Sequence, residues 1–243
     1  MNDETTRALN ALNQTFYRDS AELFAETRRA PWPGWRELLP LLRRVPRPSV
    51  LDVGCGNGRF ASFLAAELGA TFLYCGIDAS APLLALAAQA VAGIRGARLV
   101  QTDVVLDPSL SAVPDERFDW VVAFGLLHHV PGEARRRALT AALAERVAPG
   151  GFLALAFWDF AREPRFAKKA ATELPPELVG QLEPGDALLR WGPEGSSSLR
   201  FCHHSDAAEE ARLLADLPLQ TVRSFESDGR SGRLNRYRVL QRG

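Results

Sequence analysis

Apolar positions along the chain follow two rhythms. Between residues 3 and 28 they recur at helical spacing (Leu9, Leu12, Phe16, Leu23, Phe24) without Gly or Pro, which predicts a helix over 3–28. Pro31-Trp-Pro-Gly34 breaks it, and residues 35–44 read as a second, short helix. From residue 49 short apolar runs alternate with helical stretches. Strands are predicted over 49–53, 71–78, 97–101, 118–124 and 152–158, and helices over 59–68, 80–92 and 133–147, with a turn at Pro149-Gly-Gly151.

This β-α-β-α-β-β-α-β order predicts an α/β fold, a mostly parallel sheet with helices on both faces. Right-handed crossovers gather the strands' C-terminal ends at one edge, where ligands bind. The pattern then dissolves. Residues 159–199 hold Pro164, Pro175, Pro176, Pro184, Pro193 and a triple serine, and read as an insertion over that edge with one or two short helices. A helix over 206–217 follows, then strands over 219–225 and 234–241 joined by Asp228-Gly-Arg-Ser-Gly232 as an antiparallel hairpin. The reading is of a single domain: a helical extension (1–48), a core (49–158), the insertion (159–200) and a closing helix and strand pair (201–243).

Composition narrows the class. The chain has 243 residues, 47% of them hydrophobic, with 29 basic against 29 acidic side chains. That suits a globular domain and argues against binding nucleic acid by a bulk basic excess. Basic clusters at 28–47 and near the C-terminus are the exceptions. No apolar run approaches the ~18–20 residues that cross a bilayer. Three scattered cysteines (Cys55, Cys75, Cys202) and a polar, acidic start suggest a cytoplasmic protein with no disulfide framework, no membrane partner and no metal site.

The strongest chemical signal is Leu51-Asp-Val-Gly-Cys-Gly-Asn-Gly58. Glycines at 54, 56 and 58 permit a tight strand-to-helix turn with bare N–H groups facing a ligand. The spacing is not the G-x-G-x-x-G of dinucleotide enzymes, and Asp52 would repel a pyrophosphate. An acid there suits a ligand carrying an ammonium or sulfonium group.

These residues resemble the first motif of the class I S-adenosylmethionine-dependent methyltransferases, a Rossmann-like fold with a seven-stranded sheet. The resemblance implies that Asp52, Gly54, Cys55, Gly56, Asn57 and Gly58 hold the methionine moiety of S-adenosylmethionine. It implies that Asp78, with Ala79 beside it, takes the ribose hydroxyls, and that Asp103 and Val104 meet the adenine. Phe124 and Gly125 would lie under the methionine.

A narrower likeness concerns the tRNA methyltransferases that esterify 5-carboxymethyluridine at the wobble position. Phe24-Ala-Glu-Thr-Arg28 with Pro31-Trp-Pro33, Leu127-His-His-Val130, Phe157-Trp158, Trp191 and Arg200-Phe-Cys-His203 resemble that family's patches, as does Asn235. It implies a carboxylate acceptor on tRNA and allows an activating protein partner. Departures are a short neutral insertion, Cys202 in place of a tyrosine and Arg236 in place of a tryptophan.

A carboxylate is already ionised at neutral pH, so its methylation needs alignment and a cation rather than a base. Arg28 and Arg200 are the candidates for that cation. His128 and His129 sit where an acceptor would lie, as bases or orienting groups. Trp32, Trp158 and His203 are candidates for holding the substrate. Two alternatives stand beside the tRNA reading: a methyltransferase for a free small acid or amine, and a catalytically silent S-adenosylmethionine-binding module.

Overall fold

In β1 (Ser49–Val53), Val50 enters one apolar core while Leu51 and Val53 enter another, and all three are fully buried. Alternation with both faces covered is what a central strand of a doubly wound sheet requires. The computed structural model describes residues 1–192 and 198–243. Pro193 and the first two residues of the triple serine lie outside the described residues.

In chain order, α1 (Asp3–Glu26) is followed by a 3₁₀ segment (Pro33–Leu38) and α2 (Leu39–Leu42). The core runs β1, α3 (Arg59–Leu68), β2 (Leu73–Asp78), α4 (Ala81–Val91), β3 (Arg98–Gln101), β4 (Phe118–Phe124), α5 (Glu133–Glu145) and β5 (Val147–Trp158). Then come α6 (Pro164–Ala167), β6 (Asp186–Arg190), β7 (Leu199–His203), α7 (Ala207–Leu214), β8 (Gln220–Ser227) and β9 (Asn235–Gln241).

Seven strands form one sheet in the order β3-β2-β1-β4-β5-β9-β8. The first five are parallel; β9 joins β5 antiparallel, and β8 forms the edge. Helices α5 and α7 cover one face, and the 3₁₀ segment, α2 and α3 cover the other. Strand order reverses between β1 and β4, so a crevice opens beyond their C-terminal ends.

The departures from the sequence reading have physical causes. Helix α5 stops at Glu145, and Val147 already pairs with Phe118 in β5. The expected turn at 149–151 is an irregularity inside β5, where the register jumps before Trp120 pairs with Phe152. Residues 35–44 are split between the end of the 3₁₀ segment and the short α2, because Pro40 cannot donate a bond of a continuous helix. The insertion contains an unforeseen hairpin, β6 with β7, and β7 runs across the expected boundary at residue 200. Its five-residue strands are hidden among prolines and serines. Leu188 and Phe201 anchor the hairpin against Leu9 of α1.

Candidate active site

A cavity of about 970 Å³ lies over the C-terminal ends of β1, β2 and β4. Its floor is the glycine turn. Gly54 and Gly56 have φ of 76° and 54°, a left-handed conformation that side-chain-bearing residues avoid. A side chain at Gly56 would meet nothing within 4 Å, so the backbone there faces open space. Gly58 also has φ of 75°, but a Cβ there would come within 2.9 Å of Ala90. Gly58 lets α3 approach α4 and does not line the cavity.

Acids cluster at this end. The hydroxyl of Tyr74 donates to Oδ2 of buried Asp52 at 2.7 Å, and burial pushes the Asp52 pKa up to about 7. No cation lies within ion-pair distance of it among the described residues. A buried carboxylate facing a cavity in this state favours a cationic ligand. Asp78 accepts from the N–H of Gly56 at 2.9 Å and of Ser80 at 2.8 Å, which fix its plane while burial raises its pKa. Asp103 accepts at Oδ2 from Asn10 (2.7 Å) and Gln14 (2.5 Å), and at Oδ1 from the N–H of Val105. Cys55, Asn57, Ala79, Val104, Phe124 and Gly125 also line the cavity. A nucleoside with a cationic tail fits this donor set: backbone N–H groups, oriented carboxylates and an uncompensated acid.

Cationic side chains line the same cavity. Arg200, from β7, is 6% exposed; its Cζ lies 5.1 Å from the ring of Trp158 and 5.5 Å from that of Phe16. Its Nε has no hydrogen-bond partner. Arg28 rests on Phe24, 3.7 Å from the ring centroid, and burial together with Arg200 lowers its pKa to about 10. Among the described residues no carboxylate pairs with either arginine. Arg165, Lys169 and Arg190 of the insertion line the same cavity, as does Trp32.

The paired histidines line the same cavity. His129 Nδ1 donates to the carbonyl oxygen of Phe201 at 2.8 Å, which leaves Nε2 to accept from the Tyr17 hydroxyl at 2.8 Å. Burial and nearby Arg200 lower its pKa to about 3, so the ring is neutral. His128 lies 4.9 Å from Trp158, and burial and His129 hold it well below the usual histidine range. Its Nδ1 is buried without a partner. Donor atoms of His128, His129 and Cys202 gather within 4.8 Å. Both nitrogens of His129 are engaged, and burial pushes the Cys202 thiol up to about 11, so the trio is a poor metal donor set.

His203 is not in the cavity, contrary to its expected substrate role. It is buried between Asp186 (Nδ1 at 2.7 Å) and Glu209 (Nε2 at 2.6 Å), with Arg136 on Glu209 at 2.6 Å. This cluster staples the hairpin to α5 and α7. His204 instead pairs with Asp159, as does buried Arg236. Asn235 lines the cavity and donates to Asp228 at 2.7 Å.

Sequence reasoning missed the polar stripe of α1. Asn10, Asn13, Gln14 and Tyr17 recur at i, i+3, i+4 and i+7, the spacing of one helix face, and all line the cavity. Their periodicity was available in the sequence, though the apolar positions of the same helix overshadowed it.

Comparison with known proteins agrees with this geometry. Residues 50–151 match the family described as a methyltransferase domain. The chain is 30% identical over 148 residues to "tRNA (carboxymethyluridine(34)-5-O)-methyltransferase" of Arabidopsis thaliana, covering 60% of this chain and 32% of the relative. It is 25% identical over 164 residues to the Schizosaccharomyces pombe protein of that name, covering 67% and 63%. The chain thus spans about a third of the Arabidopsis relative and less than two thirds of the yeast one. Among solved structures, an S-adenosylmethionine-dependent methyltransferase from Methanosarcina mazei shares the fold, with TM-score 0.64, 22% identity, and coverage of 84% of this chain and 97% of that one. Residues 50–151 thus match a methyltransferase-domain family, and the chain shares the fold of solved S-adenosylmethionine-dependent methyltransferases.

Proposed function

We propose that this chain transfers a methyl group from S-adenosylmethionine to a carboxylate, and that the carboxylate belongs to a modified wobble uridine of tRNA. The observation that carries the reading is a pair of arginines that no carboxylate pairs among the described residues, half-buried Arg28 and buried Arg200, lining the same cavity as Asp52, Asp78 and Asp103. One cavity offers both charges: the strand-end acids favour a sulfonium, and the guanidiniums of Arg28 and Arg200 favour an anion.

When bound, S-adenosylmethionine supplies an electrophilic methyl on a positively charged sulfur. Asp52 and the turn 54–58 would hold its amino-acid part, Asp78 its ribose, and Asp103 with Val104 its base. Phe124 and Gly125 close the floor beside them. Arg28 and Arg200 would grip the acceptor carboxylate, and Trp158 and Trp32 offer flat apolar faces for a base. No residue has to remove a proton, which agrees with both histidines held neutral and His129 bonded at both nitrogens. Aligning the two reactants is the main contribution left to the protein.

The basic rim of Arg165, Lys169 and Arg190 supports a polyanionic acceptor despite the zero net charge. The names of the relatives support tRNA. The test is mass spectrometry of wobble nucleosides from cells lacking the gene. Accumulated 5-carboxymethyluridine with loss of its methyl ester is expected; an unchanged nucleoside profile would favour a free small-molecule acid as acceptor.

A further inference from the structure

Two guanidiniums line the cavity with no acid paired to either among the described residues, and aromatic rings hold them instead. Arg28 lies on Phe24 and Arg200 near Phe16. Tyr17 packs edge-on against both of these rings, with centroids 4.9 Å from Phe16 and 5.1 Å from Phe24. Its hydroxyl donates to His129 Nε2, and His129 Nδ1 donates to the carbonyl of Phe201, the neighbour of Arg200. Tyr17, Arg28 and Arg200 all line the cavity, and the bond to His129 fixes Tyr17 against the two rings on which the arginines rest.

An aspartate at residue 17 would hold the arginines too, but it would cancel the charge that an anionic ligand needs. A neutral side chain that fixes the rings beneath them leaves the net charge in place. Burial raises the pKa of Tyr17, so the phenol stays neutral, and Arg200 and Arg28 lie near enough to act against that rise.

We propose that Tyr17 is a specificity-determining positioning residue: anchored to His129, it holds the rings of Phe24 and Phe16 that carry Arg28 and Arg200, and so orients the two guanidiniums for a carboxylate-bearing ligand without neutralising them. The inference rests on the carboxylate reading above. It goes further by naming what makes the site prefer an acid over its uncharged amide.

The test is calorimetric titration of the S-adenosylhomocysteine-loaded protein with 5-carboxymethyluridine and with 5-carbamoylmethyluridine. The wild type should prefer the acid by at least ~30-fold, and Tyr17→Phe by no more than ~3-fold, a ~tenfold loss on the scale of one buried hydrogen bond, here that to His129. Affinity for S-adenosylhomocysteine should stay unchanged, which reports an intact fold. His129→Gln keeps an acceptor for the phenol and should retain the preference, while His129→Leu should lose it. An unchanged preference in Tyr17→Phe, equal behaviour of the two His129 variants, or no preference in the wild type would each overturn the inference. If the acid binds preferentially but no methyl ester forms with S-adenosylmethionine, the carboxylate-transfer reading fails and the role of Tyr17 stands.

Discussion

The guanidinium of Arg200 lies 5.1 Å from the ring of Trp158, and no carboxylate reaches it among the described residues. A buried cation held by an aromatic face keeps its charge for a ligand. Arg200→Ala should lower acceptor kcat/KM by about 10–100-fold, the loss of a charge-assisted pair of hydrogen bonds. Cofactor affinity should not change. Arg200→Lys should recover only part of the activity, because an ammonium cannot present a fork. A normal rate for the alanine variant would remove Arg200 from the site.

Asp78 has its plane set by the N–H groups of Gly56 and Ser80. Asp78→Ala should weaken S-adenosylmethionine binding by about 2–3 kcal/mol in calorimetry, since a carboxylate can take two charge-assisted bonds. Unchanged affinity would refute the cofactor assignment at that strand end.

Gly58→Ala tests the approach of α3 to α4. The added methyl would meet Ala90 at 2.9 Å and Ala87 at 3.2 Å, on a backbone with φ of 75°. A loss of about 1–3 kcal/mol in denaturant unfolding is expected from strain and overpacking together. A variant as stable as the wild type would contradict the close packing.

The His203 cluster predicts how stability varies with pH. Burial opposes its charge, but the carboxylates of Asp186 and Glu209 raise the His203 pKa above 6.5. The folded state therefore holds a proton that the unfolded state releases. This contribution is full below pH ~6.5 and is lost as pH rises through the folded value. Melting temperature should fall from pH ~6.5 upward, and His203→Gln should flatten the slope. Burial likewise opposes the Glu209 charge, but His203 and Arg136 lower its pKa to about 2, so its share is lost only as pH falls from about 4.5 toward that value. Equal slopes for wild type and His203→Gln would rule out His203 as the titrating group.

The sheet core was legible because its strands are apolar runs ended by Asp52-to-Gly58, Asp78, Asp103 and Phe124, where local pattern and ligand chemistry coincide. The hairpin β6–β7 was not. Leu188 and Phe201 become core only by meeting Leu9, a contact almost two hundred residues away that no local period announces. His203 was misplaced for the same reason: its partners Asp186 and Glu209 flank it in sequence, but their convergence depends on that hairpin. Tyr17 was overlooked because helix periodicity drew the eye to Phe16 beside it. Net charge concealed the unpaired cations of the cavity, since Arg223, Arg236 and Arg238 are bound to acids while Arg28 and Arg200 are not among the described residues.

The central claim is tested most directly by incubating the purified chain with methyl-labelled S-adenosylmethionine and tRNA carrying 5-carboxymethyluridine. Label should enter that nucleoside and be released by mild alkali, as a methyl ester requires. Incorporation that survives alkali, or none into this tRNA while a free acid is methylated, would contradict it.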